Sequence, residues 1–220
     1  VADVVVLIPT LGRPHHIKPL LESLYDSTDR ARPLFICNKT DTYTIDAIEK
    51  NDEEIVYMRT APGIKGDYAR KINTGYKHST EPLMFLGATD LIFHKGWLEK
   101  AEAHLGNGIH VVGTNDLGNV DVIAGRHSTH SLVTREYVDK YGTIDEGGKV
   151  LCEEYWHEWV DNEFCETARY RNAFAMAMDS IVEHVHPAFG KNIWDENYRA
   201  WRKRTIEGGK IYEKRQHLWM

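Results

Sequence analysis

Three short stretches of this 220-residue chain carry side chains suited to chemistry. In MFLGATDLIFHKGWL, Asp90 stands a few residues beyond the apolar run Leu83 to Leu86. In open α/β sheets ligands bind at the carboxyl ends of strands. Gly87 and Ala88 leave room for one, and a carboxylate there can hold a hard divalent cation that bridges phosphate oxygens. Thr89 and Asp90 can equally cap a turn. In IVEHVHPAFGK, His184 and His186 alternate along an expected strand and so share one face. Neutral imidazoles ligate manganese-like ions, although in a chain with 12 histidines a packed or exposed histidine is the ordinary alternative. The third stretch, EEYWHEWVDNEFCETAR, is crowded with acids and aromatics. A carboxylate such as Asp161 is suited to general-base work when burial lifts its pKa. The structural alternative is a helix capped by Asp161 with Glu163 exposed, and with Tyr155, Trp156 and His157 in the core. A zinc site built from Cys152, His157, Cys165 and the late histidines matches no usual spacing.

Strands and helices must alternate to position these residues. Val4 to Ile8 is a β-branched run of the kind buried on both faces of a parallel sheet. Pro14 sits where a helix can begin, and Ile17, Leu20, Leu21 and Leu24 recur at helical spacing. Leu34–Cys37, Ile55–Met58 and Leu83–Leu86 are further expected strands, with helices over Thr44–Lys50 and Tyr68–Lys77 between them. Such units imply right-handed crossovers and a parallel sheet. In the second half a helix is expected over Trp97–Leu105, and strands over Ile109–Val112, Val120–Ala124, Ser131–Val133 and Ile181–Val185. Helices are expected over Arg135–Lys140 and Trp159–Ala168, and a basic, aromatic tail from Asp195 ends in another. No linker splits the chain.

The totals narrow the class. A net charge of -6 gives no electrostatic reason for tight duplex DNA binding. Three scattered cysteines suit a reducing cytoplasm better than a disulfide framework. The opening VADVVVLIPT reads as a strand and not as a signal peptide. No apolar stretch approaches the roughly 20 residues that span a bilayer. No G-x-G-x-x-G follows a strand, which disfavours an NAD enzyme.

The segments VVVLIPTLGRP and GDYARKINTGYKHSTEPLMFLGATDLIFHKGWL resemble the first strand and loop, and the later helix, strand and DxD-containing loop, of family 2 glycosyltransferases. With the late HPxxGK and the ending RQHLW, the pattern is most similar to small glycosyltransferases of bacteriophages. The resemblance implies a GT-A fold with a Rossmann-like, mostly parallel sheet. It implies a nucleotide-sugar-binding half over 1–106, an acceptor half over 107–194 and a basic tail over 195–220. It also implies transfer from a nucleotide diphosphate sugar, UDP-linked by default, to an acceptor hydroxyl with inversion, and a divalent cation, Mn²⁺ or Mg²⁺. Pro9, Thr10, Arg13, Asn38, Gly66, Asp67, Arg70, Lys71, Thr89 and Asp90 match nucleotide-sugar positions, and Asp41 shares the role of Asn38. Asp67 is also a good N-cap, and Arg70 and Lys71 a possible solvated face. By position Asp161 matches the catalytic base and Glu163 an accompanying acid. Trp156 and His157 match an acceptor wall, and His186, then His184, complete the metal site with Asp90. Where relatives carry two or three acids in the loop, this chain has Ala88-Thr89-Asp90. The implied acceptor is either a phage macromolecule, such as a hydroxymethylated pyrimidine in DNA or a virion protein, or a saccharide or lipid-linked glycan. A nucleotide-sugar-binding module without turnover is the non-enzymatic alternative, and a nucleotidyltransferase is disfavoured by a PTLGRPHH loop with one glycine.

Overall fold

The structure, a computed structural model, describes residues 2–199 and 201–220, leaving out the side chains of Asn197, Trp201 and Arg202. Eight strands form one mixed sheet in the order β3-β2-β1-β4-β7-β6-β8-β5. They are β1 (Val4–Pro9), β2 (Ala31–Asn38), β3 (Ile55–Met58), β4 (Leu83–Leu86), β5 (Leu91–Phe93), β6 (Val111–Asn115), β7 (Ser131–Thr134) and β8 (Phe174–His184). The first four pair in parallel, β7 turns the direction, and β8 runs parallel to β6.

Alternation along β1 builds both halves of the core. Val4, Val6 and Ile8 pack with Ile17, Leu20 and Leu24 of α1 (Ile17–Ser27) and Ile45 and Ile48 of α2 (Thr42–Glu49). Trp97, Leu98 and Ala101 of α4 (Trp97–Glu102) extend that layer. Val5 and Leu7 face the other way, with Ala69 and Ile72 of α3 (Asp67–His78). Gly75 lets α3 lie close on the sheet, since a Cβ there would come within 2.8 Å of Leu7 Cδ2. Tyr137 and Val138 of α6 (Arg135–Tyr141) and Phe164 and Ala168 of α7 (Val160–Tyr170) complete this second layer.

Three second-half expectations change. Val120–Ala124 is not a strand. Val120–Ile123 is a short helix, α5, because Asn119 caps it by accepting the Asp121 N–H at 3.0 Å, and of its four residues Val122 alone is buried. The strand expected at Ile109–Val112 runs instead from Val111 to Asn115, and the late strand starts at Phe174 rather than Ile181. Leu91–Phe93 was not foreseen as a strand. It folds back antiparallel onto the end of β8, with Leu91 opposite His184. The tail forms α8 (Glu196–Arg199) and α9 (Trp201–Arg215), and α9 docks against the loop before α7. Gly208 makes that approach possible, because a Cβ there would come within 2.7 Å of the Glu158 carbonyl oxygen.

Candidate active site

The β5–β8 pairing is what brings the sequence-distant metal candidates together. Val185 N–H donates to the Asp90 carbonyl at 2.8 Å, and His184 Nε2 lies 3.4 Å from Asp90 Oδ2. The His186 ring sits 5.1 Å from that of His184, and its Nδ1 accepts the Ala188 N–H at 3.1 Å. His130, which the sequence did not single out, stands edge-on to His184 at 5.2 Å and donates from Nδ1 to the Leu86 carbonyl at 2.9 Å. Burial, helped by the neighbouring His184, pushes His130 down to about 4.

Asp90 is covered as well as buried. Arg13 Nη1 lies 3.3 Å from its Oδ2, and the Tyr198 hydroxyl donates to the same oxygen at 2.5 Å. Arg13 also donates to Asp195 Oδ2 at 2.9 Å, and its guanidinium lies 3.5 Å over the Tyr198 ring. The start of the tail therefore closes over the candidate metal carboxylate. Burial alone would raise the Asp90 pKa, but His184, Arg13 and Tyr198 together hold it well below the usual range.

The loop after β1 meets the start of α3. Lys71 Nζ donates to the Thr10 carbonyl at 2.6 Å and to Asp67 Oδ2 at 2.8 Å, and Asp67 Oδ2 also accepts the Gly63 N–H at 3.1 Å. Asp67 Oδ1 and Thr10 Oγ1 are buried without a hydrogen-bond partner among the described residues, a cost that a polar ligand would relieve. Other nucleotide-site expectations fall elsewhere. Asn38 is fully buried and donates to the Thr60 carbonyl at 2.9 Å, outside the cavity wall. Asp41 pins the loop by accepting the Gly12 N–H at 2.8 Å. Gly66, at φ +80, serves packing: a Cβ there would come within 2.5 Å of the Glu153 carbonyl. Arg70 turns outward to the Lys65 carbonyl at 2.6 Å.

Across the site, Trp159 adopts φ 74, a left-handed turn unusual for a bulky residue, and launches α7. Its Nε1 donates to the Thr205 carbonyl of α9 at 2.9 Å, which holds that turn in place. Asp161 follows in the first turn of α7, with His127 Nε2 3.1 Å from its Oδ2. Glu163, two residues on, lies on another face, since each residue turns a helix by about 100°. It is buried, accepts from the Tyr155 hydroxyl at 2.7 Å and pairs with Arg215 at 2.8 and 2.9 Å, all away from the cavity. Trp156 and His157 do line the cavity, His157 edge-on to Tyr68 at 4.8 Å. Glu158 lines it too, paired with Arg204 of α9 at 3.2 Å. Burial pushes the Glu158 carboxyl up to about 7 despite that arginine, with the Asp161 charge adding to the rise.

One cavity of about 840 Å³ gathers the rest. Pro9, Thr10, Arg13, Asp67, Lys71, Thr89, Asp90, Asp161, His184 and His186 are among its walls. Tyr68 of α3, whose hydroxyl donates to the Gly87 carbonyl at 3.2 Å, feels the charges of both Asp161 and Asp90. His127, His130, Glu158 and Tyr198 escaped the sequence reading because each acts through a partner far away in the chain.

No protein-family model matches the sequence, and no curated protein does. Solved structures do match. The mannosyltransferase PcManGT from Pyrobaculum calidifontis, in complex with GDP-Man and Mn²⁺, superposes with a TM-score of 0.65 at 16% identity, over 94% of this chain and 61% of that one. This chain thus spans less than two thirds of that enzyme. Glucosyl-3-phosphoglycerate synthase from Mycobacterium tuberculosis, in complex with Mn²⁺, UDP and glucosyl-3-phosphoglycerate, gives 0.63 at 14% identity, over 94% and 78%. The fold is GT-A. The cavity lies at the carboxyl ends of β1 and β4 in the mixed sheet. No helix of the described residues is long and apolar enough to cross a membrane.

Proposed function

We propose that this chain is a glycosyltransferase that moves a sugar from a nucleotide diphosphate donor to an acceptor hydroxyl with inversion. The observation that carries the reading is the sharing of one cavity by Asp90, His184 and His186, by the Thr10–Asp67–Lys71 corner, and by Asp161. Both solved neighbours described above hold Mn²⁺ with a nucleotide or nucleotide sugar. UDP is the default nucleotide on the resemblance of the sequence.

The residues fit a divalent cation in part. Among the described residues no three His, Cys, Asp or Glu side chains could hold a metal by themselves. One carboxylate, Asp90, and one imidazole, with His184 nearer to it than expected, make an incomplete N/O set of the kind that substrate phosphates complete. When bound, the ion would offset charge on the departing diphosphate. Arg13 adds a bidentate-capable cation beside it, and Lys71 holds the loop that borders the donor. Asp161, the accessible carboxylate, takes the acceptor proton as the hydroxyl oxygen bonds to the anomeric carbon. The anomeric C–O bond breaks, and its electron pair leaves with the nucleotide diphosphate.

The test is release of nucleotide diphosphate from a panel of UDP-, GDP- and dTDP-sugars with Mn²⁺. Acceptors of both classes are supplied, simple saccharides and hydroxymethylcytosine-containing DNA. Asp161→Asn should lower turnover by at least about a hundredfold while donor affinity stays within twofold. Asp90→Ala should weaken metal-dependent donor binding. Full turnover in Asp161→Asn would remove that residue from its role, and binding of donor without turnover on any acceptor or water would favour a binding module.

A further inference from the structure

Asp161 is open on one side and held on the other. Its side chain keeps 28% exposure, at the cavity wall, whereas the His127 side chain beside it keeps 8%. Both carboxylate oxygens are engaged: Oδ2 by His127 Nε2 at 3.1 Å, Oδ1 by the Asn162 N–H at 3.1 Å. The loop that carries His127 is tied down in turn. Ser128 Oγ donates to the His130 carbonyl at 2.7 Å, Ser131 Oγ donates to Ser128 Oγ at 3.0 Å, and Cys165 Sγ donates to the Ser128 carbonyl at 3.3 Å. From the other direction α9 holds Trp159 and hence the first turn of α7. Two independently braced elements therefore present an imidazole to a carboxylate. A buried pair of this kind contributes little net stability, because desolvation offsets the attraction. An aspartate in a first helical turn is also already favoured by the helix dipole without a partner. The pairing is better explained by what it does to Asp161.

We propose that His127 is the positioning residue for the proton acceptor, holding the Asp161 carboxylate in one rotamer facing the cavity. This rests on the reading of Asp161 as the base. The groups that face the pair are His157 and Glu158 from the loop before α7, Tyr68 from α3, and Cys165 from α7. Burial opposes charge on both partners, yet each outweighs it for the other: the Asp161 carboxyl is held below its ordinary range, not lifted by burial as the sequence suggests, and the His127 imidazole is held above its own. The carboxylate is thereby kept ready in acid.

Carboxyl ¹³C NMR of aspartate-labelled protein tests this without needing the acceptor. In His127→Gln, which keeps a hydrogen-bonding side chain but no charge, the Asp161 midpoint should rise by about one to two pH units. Donor turnover should fall at least about tenfold with the donor KM within twofold. Should His127→Gln fold poorly, the ring of His127 serves instead: it should stay protonated well above pH 7 in wild type and lose its proton near or below pH 6.5 in Asp161→Asn. An unmoved Asp161 midpoint in folded His127→Gln, or an unmoved His127 midpoint in Asp161→Asn, overturns the proposal. If Asp161→Asn is inactive in that case, the base reading survives alone. If Asp161→Asn turns over donor at the wild-type rate, both fall.

Discussion

Replacing Arg215 by methionine leaves the Glu163 carboxylate buried with its cation removed. The side chains are 8% and 3% exposed, and the guanidinium meets both carboxylate oxygens, at 2.8 and 2.9 Å. Removing one partner of such a pair costs about 3–5 kcal/mol, most of it from the stranded charge. The other partners of Arg215, Asp145 and Glu154, are 44% and 55% exposed, so their loss adds little. For a chain of this size each kcal/mol moves Tm by about 2–4 °C, so Arg215→Met should melt roughly 6–20 °C lower. The double variant Glu163→Leu/Arg215→Met should regain most of that loss, because no charge is then left behind. Calorimetry and urea titration of wild type, both single variants and the double variant measure it. The same experiment decides what Glu163 is for. If Arg215→Met loses less than about 1 kcal/mol, the structural account is wrong; if Glu163→Gln keeps its stability but loses sugar transfer, Glu163 belongs to the chemistry.

Glu158 should make stability fall with pH. An acid whose carboxyl is raised from 4.5 to about 7 by burial binds more protons folded than unfolded between those values. Its contribution is present in acid and is lost as pH rises through about 7. The size is roughly 3 kcal/mol, and Glu158→Gln should abolish that slope in urea midpoints taken at pH 5 and pH 8. His130, pushed down to about 4, slopes the other way in both proteins, so the difference between them isolates Glu158; equal slopes would refute the assignment. Tyr198→Phe removes a hydrogen bond to the ionised Asp90, worth about 1.5–3 kcal/mol. If the tail competes with a cation for that carboxylate, Mn²⁺ should bind roughly tenfold to a hundredfold more tightly without donor by calorimetry. Unchanged affinity would show that the contact is no barrier.

The parts of the site legible in the sequence are those whose neighbours in the chain also define them. Val4 to Ile8, Leu83 to Leu86 and the Pro14 helix start are local patterns, and the loops after β1 and β4 follow from them. Strand Leu91–Phe93 is three residues long and exists because β8 offers it an edge; no periodicity can signal that. The same pairing explains why His184, rather than His186, comes nearest to Asp90. Strand alternation puts both histidines on one face, but β8 ends at His184, and His186 N–H then turns back to the His184 carbonyl at 2.9 Å.

Asp161 and Glu163 show the same limit from a helix. In a list of residues they look like a matched pair of acids, and a positional match to a motif assigns them neighbouring roles. Turning by about 100° per residue places them roughly 200° apart, so one surface of α7 can serve a cavity while the other serves the core. What then separates a carboxylate on the cavity wall from one in the core is its partner. Arg215 reaches Glu163 from α9, 52 positions away, and His127 reaches Asp161 from a loop 34 positions away. The arginine locks Glu163 out of the cavity, and the histidine leaves Asp161 open to it. Exchanging those environments, not the acids themselves, is what would exchange the roles proposed for them.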